Sequence, residues 1–130
     1  MRRLLAILLL APSLALAEPA SVARVHDGDT VSVWLGGSVV MVRVAHLDTP
    51  ETGTRAKCEA ERIKGEAATA HARALMPIGQ LVDIRPTGQR EKWGRLLADV
   101  WIEGVDLAAD LKARGLGVAY EARTKPDWCG

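Results

Sequence analysis

The sequence predicts a mainly β domain with helices (α+β), a small closed barrel of five strands. Three observations predict it. Three β-rich segments follow one another between residues 20 and 47, joined by short glycine turns, as in an antiparallel meander. The apolar period then becomes helical. Two further strand-like runs and a short capped helix come last, giving the order βββ-α-ββ-α.

Each element has its own signature. Residues 20–26 alternate weakly, with Val22 and Val25 apolar, and "DGDT" supplies an Asp-Gly hairpin turn. "TVSVWL" alternates and is rich in β-branched residues. Gly36 and Gly37 make the next turn, and "SVVMVRVAHL", residues 38–47, reads as the strongest strand. Over residues 59–76, Ile63, Ala67, Ala70 and Ala74 form one helix stripe, stopped by Pro77 and Gly79. "QLVDIRP" reads as a fourth strand, "TGQREKWGR" as a polar loop and "LLADVWI" as a fifth strand. Asp106 caps a short helix that ends at Gly115. Five strands with a helix after the third match the Greek-key barrel of the OB-fold. That fold hosts oligonucleotide and oligosaccharide binders and does not by itself fix a function.

The 130 residues suit one domain preceded by a leader. Residues 1–17, "MRRLLAILLLAPSLALA", combine two arginines, an apolar run interrupted by Pro12 and small residues before a cut after Ala17. This is the layout of a cleaved signal peptide, and the run is shorter than the roughly 20 residues that span a bilayer. The expectation is an exported protein, periplasmic or secreted, with residues 18–130 as the domain and no membrane contact after cleavage. Losing Arg2 and Arg3 leaves 15 basic against 16 acidic residues, a net charge of about −1. Such a chain is no polycation, so a nucleic-acid partner needs a local cluster or a metal to hold it. Cys58 and Cys129 make an even count, which in an exported chain suggests a disulfide, with two free thiols as the alternative. Zinc is disfavoured, because there is no CxxC and the three histidines are scattered. His26 and His71 read as ordinary surface residues, and His46 as a core-facing structural one.

The acids and arginines carry the chemistry. Asp27 and Asp29 lie at the first hairpin, and Asp48 and Glu51 follow the third strand. If the first and third strands are neighbours, these carboxylates converge, and carboxylates without thiolates favour a hard cation such as Ca²⁺ or Mg²⁺. Asp27 and Asp29 also have a plainer role as turn formers, and Asp48 as the start of an Asx-type turn before Pro50. Arg43 sits in an apolar strand and Arg95 begins the fifth; a guanidinium fork matches two phosphate oxygens. Residues 43 and 48 are five apart, so a regular strand puts them on opposite faces. They cooperate only if the chain bends between them, as bulges beside active sites permit.

The motifs "VHDGDTV", "RVAHLDTPE", "KGEAATA", "GQREKWGR" and "RGLGVAY", in this order, resemble the staphylococcal nuclease (thermonuclease) family from about Val25 to Tyr120. The resemblance implies a secreted Ca²⁺-dependent nuclease of OB-fold that cleaves DNA and RNA to 3′-phosphates. It implies Asp29 and Asp48 as Ca²⁺ carboxylates and Thr49 as a backbone-carbonyl ligand. Glu51 matches the glutamate beside the attacking water, Asp27 a nearby supporting acid, and Arg43 and Arg95 the phosphate clamps. Lys92 matches a substrate-loop lysine and Tyr120 a tyrosine against which a nucleotide lies. Three departures stand out. Trp93 replaces a tyrosine beside the substrate, and indole only donates. The family's C-terminal third helix is missing. Cys58 and Cys129 are extra, and a bond between them is expected to pin the tail in that helix's place. The expected partners are nucleic acids, single-stranded or frayed duplex above all, with no stable protein partner and a monomeric state. The rival expectations are a nuclease-like barrel that binds nucleic acid without cutting, and a calcium or oligosaccharide binder of the cell envelope.

Overall fold

The computed structural model describes residues 18–120 and 126–130; the expected leader lies outside the described residues. The strands are β1 (Glu18–Asp27), β2 (Thr30–Leu35), β3 (Ser38–Val44), β4 (Leu81–Arg90), β5 (Leu96–Ile102) and a two-residue β6 (Val105–Asp106). The helices are α1 (Glu59–Leu75) and α2 (Leu107–Ala113), with one 3-10 turn at Gly53–Arg55. Among the described residues no helix follows α2, and none is long and apolar enough to cross a membrane.

The sheet order is β3-β2-β1-β4-β5-β6, and a parallel β3–β5 pairing closes it. Five strands thus form a closed barrel with the Greek-key connectivity expected of an OB-fold. β1 and β3 are not neighbours: both pair with β2, which lies between them. The weak alternation of β1 has a cause. Its register against β2 shifts after Val22 and again after Val25, and these bulges let both valines face the core.

The barrel interior is filled by β-branched and aliphatic side chains, among them Val22, Val31, Val33, Val42, Val44, Ile84 and Val100. Leu47, with Leu107 and Leu111 of α2, completes it. The polar run after β4 is mostly strand rather than loop. Residues 87–90 extend β4 as an exposed arm, and only a tight turn around residues 91–94 joins it to β5. Polarity in that stretch marks exposure, not irregular backbone.

The stripe anticipated for α1 faces away from the core. Ile63 is 54% exposed, and Ala67, Ala70 and Ala74 are exposed as well. The packed face consists of Glu61, Gly65, Ala68, Thr69 and Ala72. Its residues are small because the helix lies very close to the barrel. A Cβ on Gly65 would stand 2.3 Å from the Glu51 carbonyl oxygen. Glu61 is buried at the helix start, where its carboxylate accepts from the Lys57 N–H at 2.6 Å, while the Cys58 sulfur accepts from the Glu61 N–H. This is a reciprocal cap of the helix N-terminus.

Two histidines depart from the surface role expected of them. His26 is half-buried, its Nε2 2.7 Å from Ser32 Oγ, and burial together with Arg24 and Arg73 lowers its pKa. His71 Nε2 lies 2.6 Å from Asp110 Oδ2 and ties α1 to α2. His46 is exposed rather than in the core.

Candidate active site

The site forms where the β1–β2 hairpin meets the chain leaving β3. Asp27 and Thr30 face each other across a two-residue turn, and the Asp29 N–H donates to Asp27 Oδ1 at 3.1 Å. Asp27 is therefore a turn former as well as a neighbour of the site. Its carboxyl is pushed up to about 7 by burial and by the adjacent Asp29. Glu51 adds to that repulsion, so these acids share one electrostatic environment.

The bend required between Arg43 and Asp48 is present. β3 ends at Val44, and His46 adopts a left-handed backbone with φ 61°. Arg43 remains in the ladder, opposite Thr30 on one side and Leu97 on the other. Its side chain closes the bend, donating through Nη1 to the carbonyls of Val44 and Leu47 at 3.0 and 2.8 Å. Through Nη2 it lies 3.3 Å from Asp29 Oδ2 and 3.9 Å from Asp48 Oδ1. Asp29 and Asp48 thus meet across the Arg43 guanidinium, because Asp29 leads into β2 and β2 pairs directly with β3.

Backbone contacts fix the rest. The Val44 N–H donates to the Asp29 carbonyl at 2.8 Å. Thr49 donates from both its N–H and its hydroxyl to Asp29 Oδ2, at 3.2 and 3.1 Å. Asp48 is held by a two-way backbone bridge to Val118, which brings the segment after α2 against the site. Gly117 permits that approach, because a Cβ there would meet Leu47 Cδ1 at 2.6 Å. Tyr120 follows, with its ring centroid 5.6 Å from Arg43 Cζ.

Glu51 is partly exposed, and its Oε2 lies 3.8 Å from Arg55 Nε. Arg95 points at the same hairpin: its Nη1 donates to Thr30 Oγ1 at 3.4 Å. The remainder of its fork is engaged by Glu91, at 2.9 and 2.7 Å. That bidentate pair raises the Arg95 pKa and lowers that of Glu91. Lys92 and Trp93 stand apart from this cluster. They occupy the tight turn before β5, where Trp93 is 74% exposed and the Lys92 ammonium lies 5.0 Å from its ring centroid. Cys58 and Cys129 are joined by a disulfide that holds residues 126–130 near the start of α1.

The structure therefore brings together Asp27, Asp29, Arg43, Asp48, Thr49, Glu51, Arg95 and Tyr120, and leaves Lys92 and Trp93 on an exposed arm. Sequence reasoning missed Glu91, Thr30 and Arg55. Glu91 and Arg55 each lie four positions from a charged residue that had been singled out, and that spacing was the available signal.

The Staphylococcal nuclease homologue family matches residues 41–128. The chain belongs to that family. The match begins within β3, so the hairpin carrying Asp27 and Asp29 precedes it. The chain is 36% identical over 106 residues to the SPbeta prophage-derived endonuclease YokF of Bacillus subtilis, covering 78% of this chain and 35% of that protein. It is 35% identical over 106 residues to the endonuclease YncB of the same organism, covering 78% of this chain and 49% of that one. It therefore spans less than half the length of each of these relatives. The closed barrel is the fold expected of a member of this family.

Proposed function

We propose that this protein is a Ca²⁺-dependent phosphodiesterase that cleaves DNA and RNA to 3′-phosphate products. The single observation carrying the reading is the cluster in which Arg43 meets both Asp29 and Asp48 while Arg95 reaches the same hairpin through Thr30. Phosphate fits the two guanidinium forks, and the relatives named endonucleases agree with that substrate class.

The donor set fits a hard cation. Asp29, Asp48 and the Thr49 carbonyl are all oxygen donors, and beside them Asp27 has its pKa raised by burial first and then by the negative charge of Asp29 and Glu51. Among the described residues no group of three or more histidine, cysteine or acidic side chains forms a ready cage. The cation would then be held by few protein oxygens and would keep much of its water. When bound, it supplies charge stabilisation at the phosphoryl oxygens. The chain's own residues do the remainder. Arg43 and Arg95 grip the non-bridging oxygens, which requires Arg95 to exchange the Glu91 carboxylate for phosphate. Glu51, partly exposed beside Asp48, orients or deprotonates the water. Tyr120 offers a ring to the adjoining nucleotide.

We further propose that the protein is exported to an oxidising compartment, where the Cys58–Cys129 bond persists. Single-stranded or frayed substrates suit an open site on a near-neutral molecule, and a monomer is the proposed state. The test incubates residues 18–130 with single-stranded DNA and with RNA, in Ca²⁺ or in chelator. Chelator-sensitive degradation is expected. Retention of nucleic acid without cleavage would instead favour a binding module, for which the internally neutralised Arg95–Glu91 pair is the motivating observation.

A further inference from the structure

Asp48, Thr49 and Glu51 of the proposed site also line a cleft whose remaining walls that site does not use. The cleft has a volume of about 200 Å³, and Arg55, Lys57, Pro126 and Trp128 are among its other lining residues. One wall is the loop leading from Asp48 to α1. The other is the short tail fastened to the start of that helix by the Cys58–Cys129 disulfide. Trp128 is half-buried there, and the Lys64 ammonium lies 5.5 Å from its ring centroid.

The charges around the cleft are uneven in their freedom. Of the acids, Glu61 accepts from the Lys57 N–H and Asp127 from the Cys129 N–H, so both carboxylates serve the local backbone. Arg55, whose Nε lies 3.8 Å from Glu51 Oε2, is still 77% exposed in its side chain, and Lys57 and Lys64 are exposed as well. A flat aromatic ring flanked by three long cations, opening beside Glu51, is the combination that single-stranded nucleic acid meets: a face for a base and cations for the backbone.

We propose that the disulfide-tethered tail builds a second nucleotide subsite, in which a base of the substrate stacks on Trp128 and its flanking phosphate lies against Arg55 and Lys57. This rests on the phosphodiesterase reading and extends it to a substrate several nucleotides long. Tyr120 packs on Arg43 and Trp128 lines the cleft with Glu51, so the two rings serve different nucleotides of one strand. The disulfide thereby has a role in substrate binding besides its role in stability. Reduction frees the tail that carries Trp128.

The experiment measures binding of a labelled dinucleotide and a labelled octanucleotide of single-stranded DNA by fluorescence anisotropy in chelator, then their cleavage in Ca²⁺. It compares the wild type with Trp128→Ala, Trp128→Phe and the Cys58→Ser/Cys129→Ser double variant, each with a thermal melt. Trp128→Ala is expected to weaken octanucleotide binding about tenfold, the scale of one lost base stack, while changing the dinucleotide by less than about twofold. Trp128→Phe retains most of the affinity. The double-cysteine variant shows the same length-dependent loss. Unchanged octanucleotide affinity in Trp128→Ala, or an equal loss on both lengths, overturns the subsite. If the wild type cleaves nucleic acid and Trp128→Ala matches it on both lengths, only the subsite falls. If the wild type neither binds nor cleaves, the phosphodiesterase reading falls and the subsite with it.

Discussion

His46 carries the bend on which the site depends. An L-residue in the left-handed region is penalised by contact between its Cβ and the following carbonyl, by roughly 1–2 kcal/mol. Histidine is found there more often than most residues, but it still bears a cost. The Arg43 guanidinium offsets that cost by donating to the carbonyls of Val44 and Leu47. A glycine at 46 removes the strain, and a valine increases it. His46→Gly is therefore expected to be as stable as the wild type or slightly more so. His46→Val is expected to lose about 1–2 kcal/mol in urea unfolding, because branching at Cβ aggravates the same contact. The need for a bend was legible in the five-residue spacing of Arg43 and Asp48. Its location was not, since no glycine marks it and the apolar neighbours of His46 suggested that strand and core continued.

At the scale of elements, α1 decides where the Glu51 backbone lies. The helix packs through Gly65 against the carbonyls of Pro50 and Glu51, a contact too close for any Cβ. Gly65→Ala must push the helix or the loop away. It is expected to cost about 1–3 kcal/mol in chemical unfolding and to lower turnover with it, despite alanine's better helix propensity. The same contact explains why the helix face was misread. An apolar stripe at Ile63 and Ala67 was visible in the sequence, whereas the packed face is built of glycine, alanine, threonine and a capping glutamate, which carry little hydropathic signal. Further along, His71 links α1 to Asp110 of α2, where Arg114 also donates. Burial favours protonation of Asp110, but the bonds from His71 and Arg114 outweigh it and hold the carboxyl below its ordinary value of 3.8. A depressed folded pKa means that stability is present above the unfolded value and is lost as pH falls through the folded one. Asp110→Asn is accordingly expected to be less stable than the wild type at neutral pH. The gap should close below about pH 4, as followed by urea unfolding at several pH values.

For the whole molecule, closure of the barrel and attachment of the tail are separate devices. The barrel was legible because its strands carry alternating β-branched residues and because "TVSVWL" and "LLADVWI" match β2 and β5 end for end. Which strands would touch was less legible. Asp29 and Asp48 were expected to meet because the first and third strands are neighbours; they meet instead because Asp29 leads into β2, which pairs with β3, and because Thr49 donates to Asp29. Long-range pairings of this kind have no local sequence signature. The tail is fixed by a disulfide spanning 71 residues. In the chain-entropy model such a loop is worth about 4 kcal/mol, so reduction is expected to lower unfolding stability by up to that amount. Urea titrations with and without reductant measure it, and coincident curves would show that the bond adds nothing.

The proposed activity has the acids beside the β3 exit, with Arg43 and Arg95, perform phosphodiester cleavage while Glu51 acts on the water. Its most direct test is the single-turnover rate of single-stranded DNA cleavage in Ca²⁺ by the wild type and by Glu51→Gln, beside their melting curves. A fall of about 10²–10³ in rate is expected, the scale of losing one group that acts in the transition state, with the melting temperature unchanged. Cleavage by Glu51→Gln at the wild-type rate would contradict it.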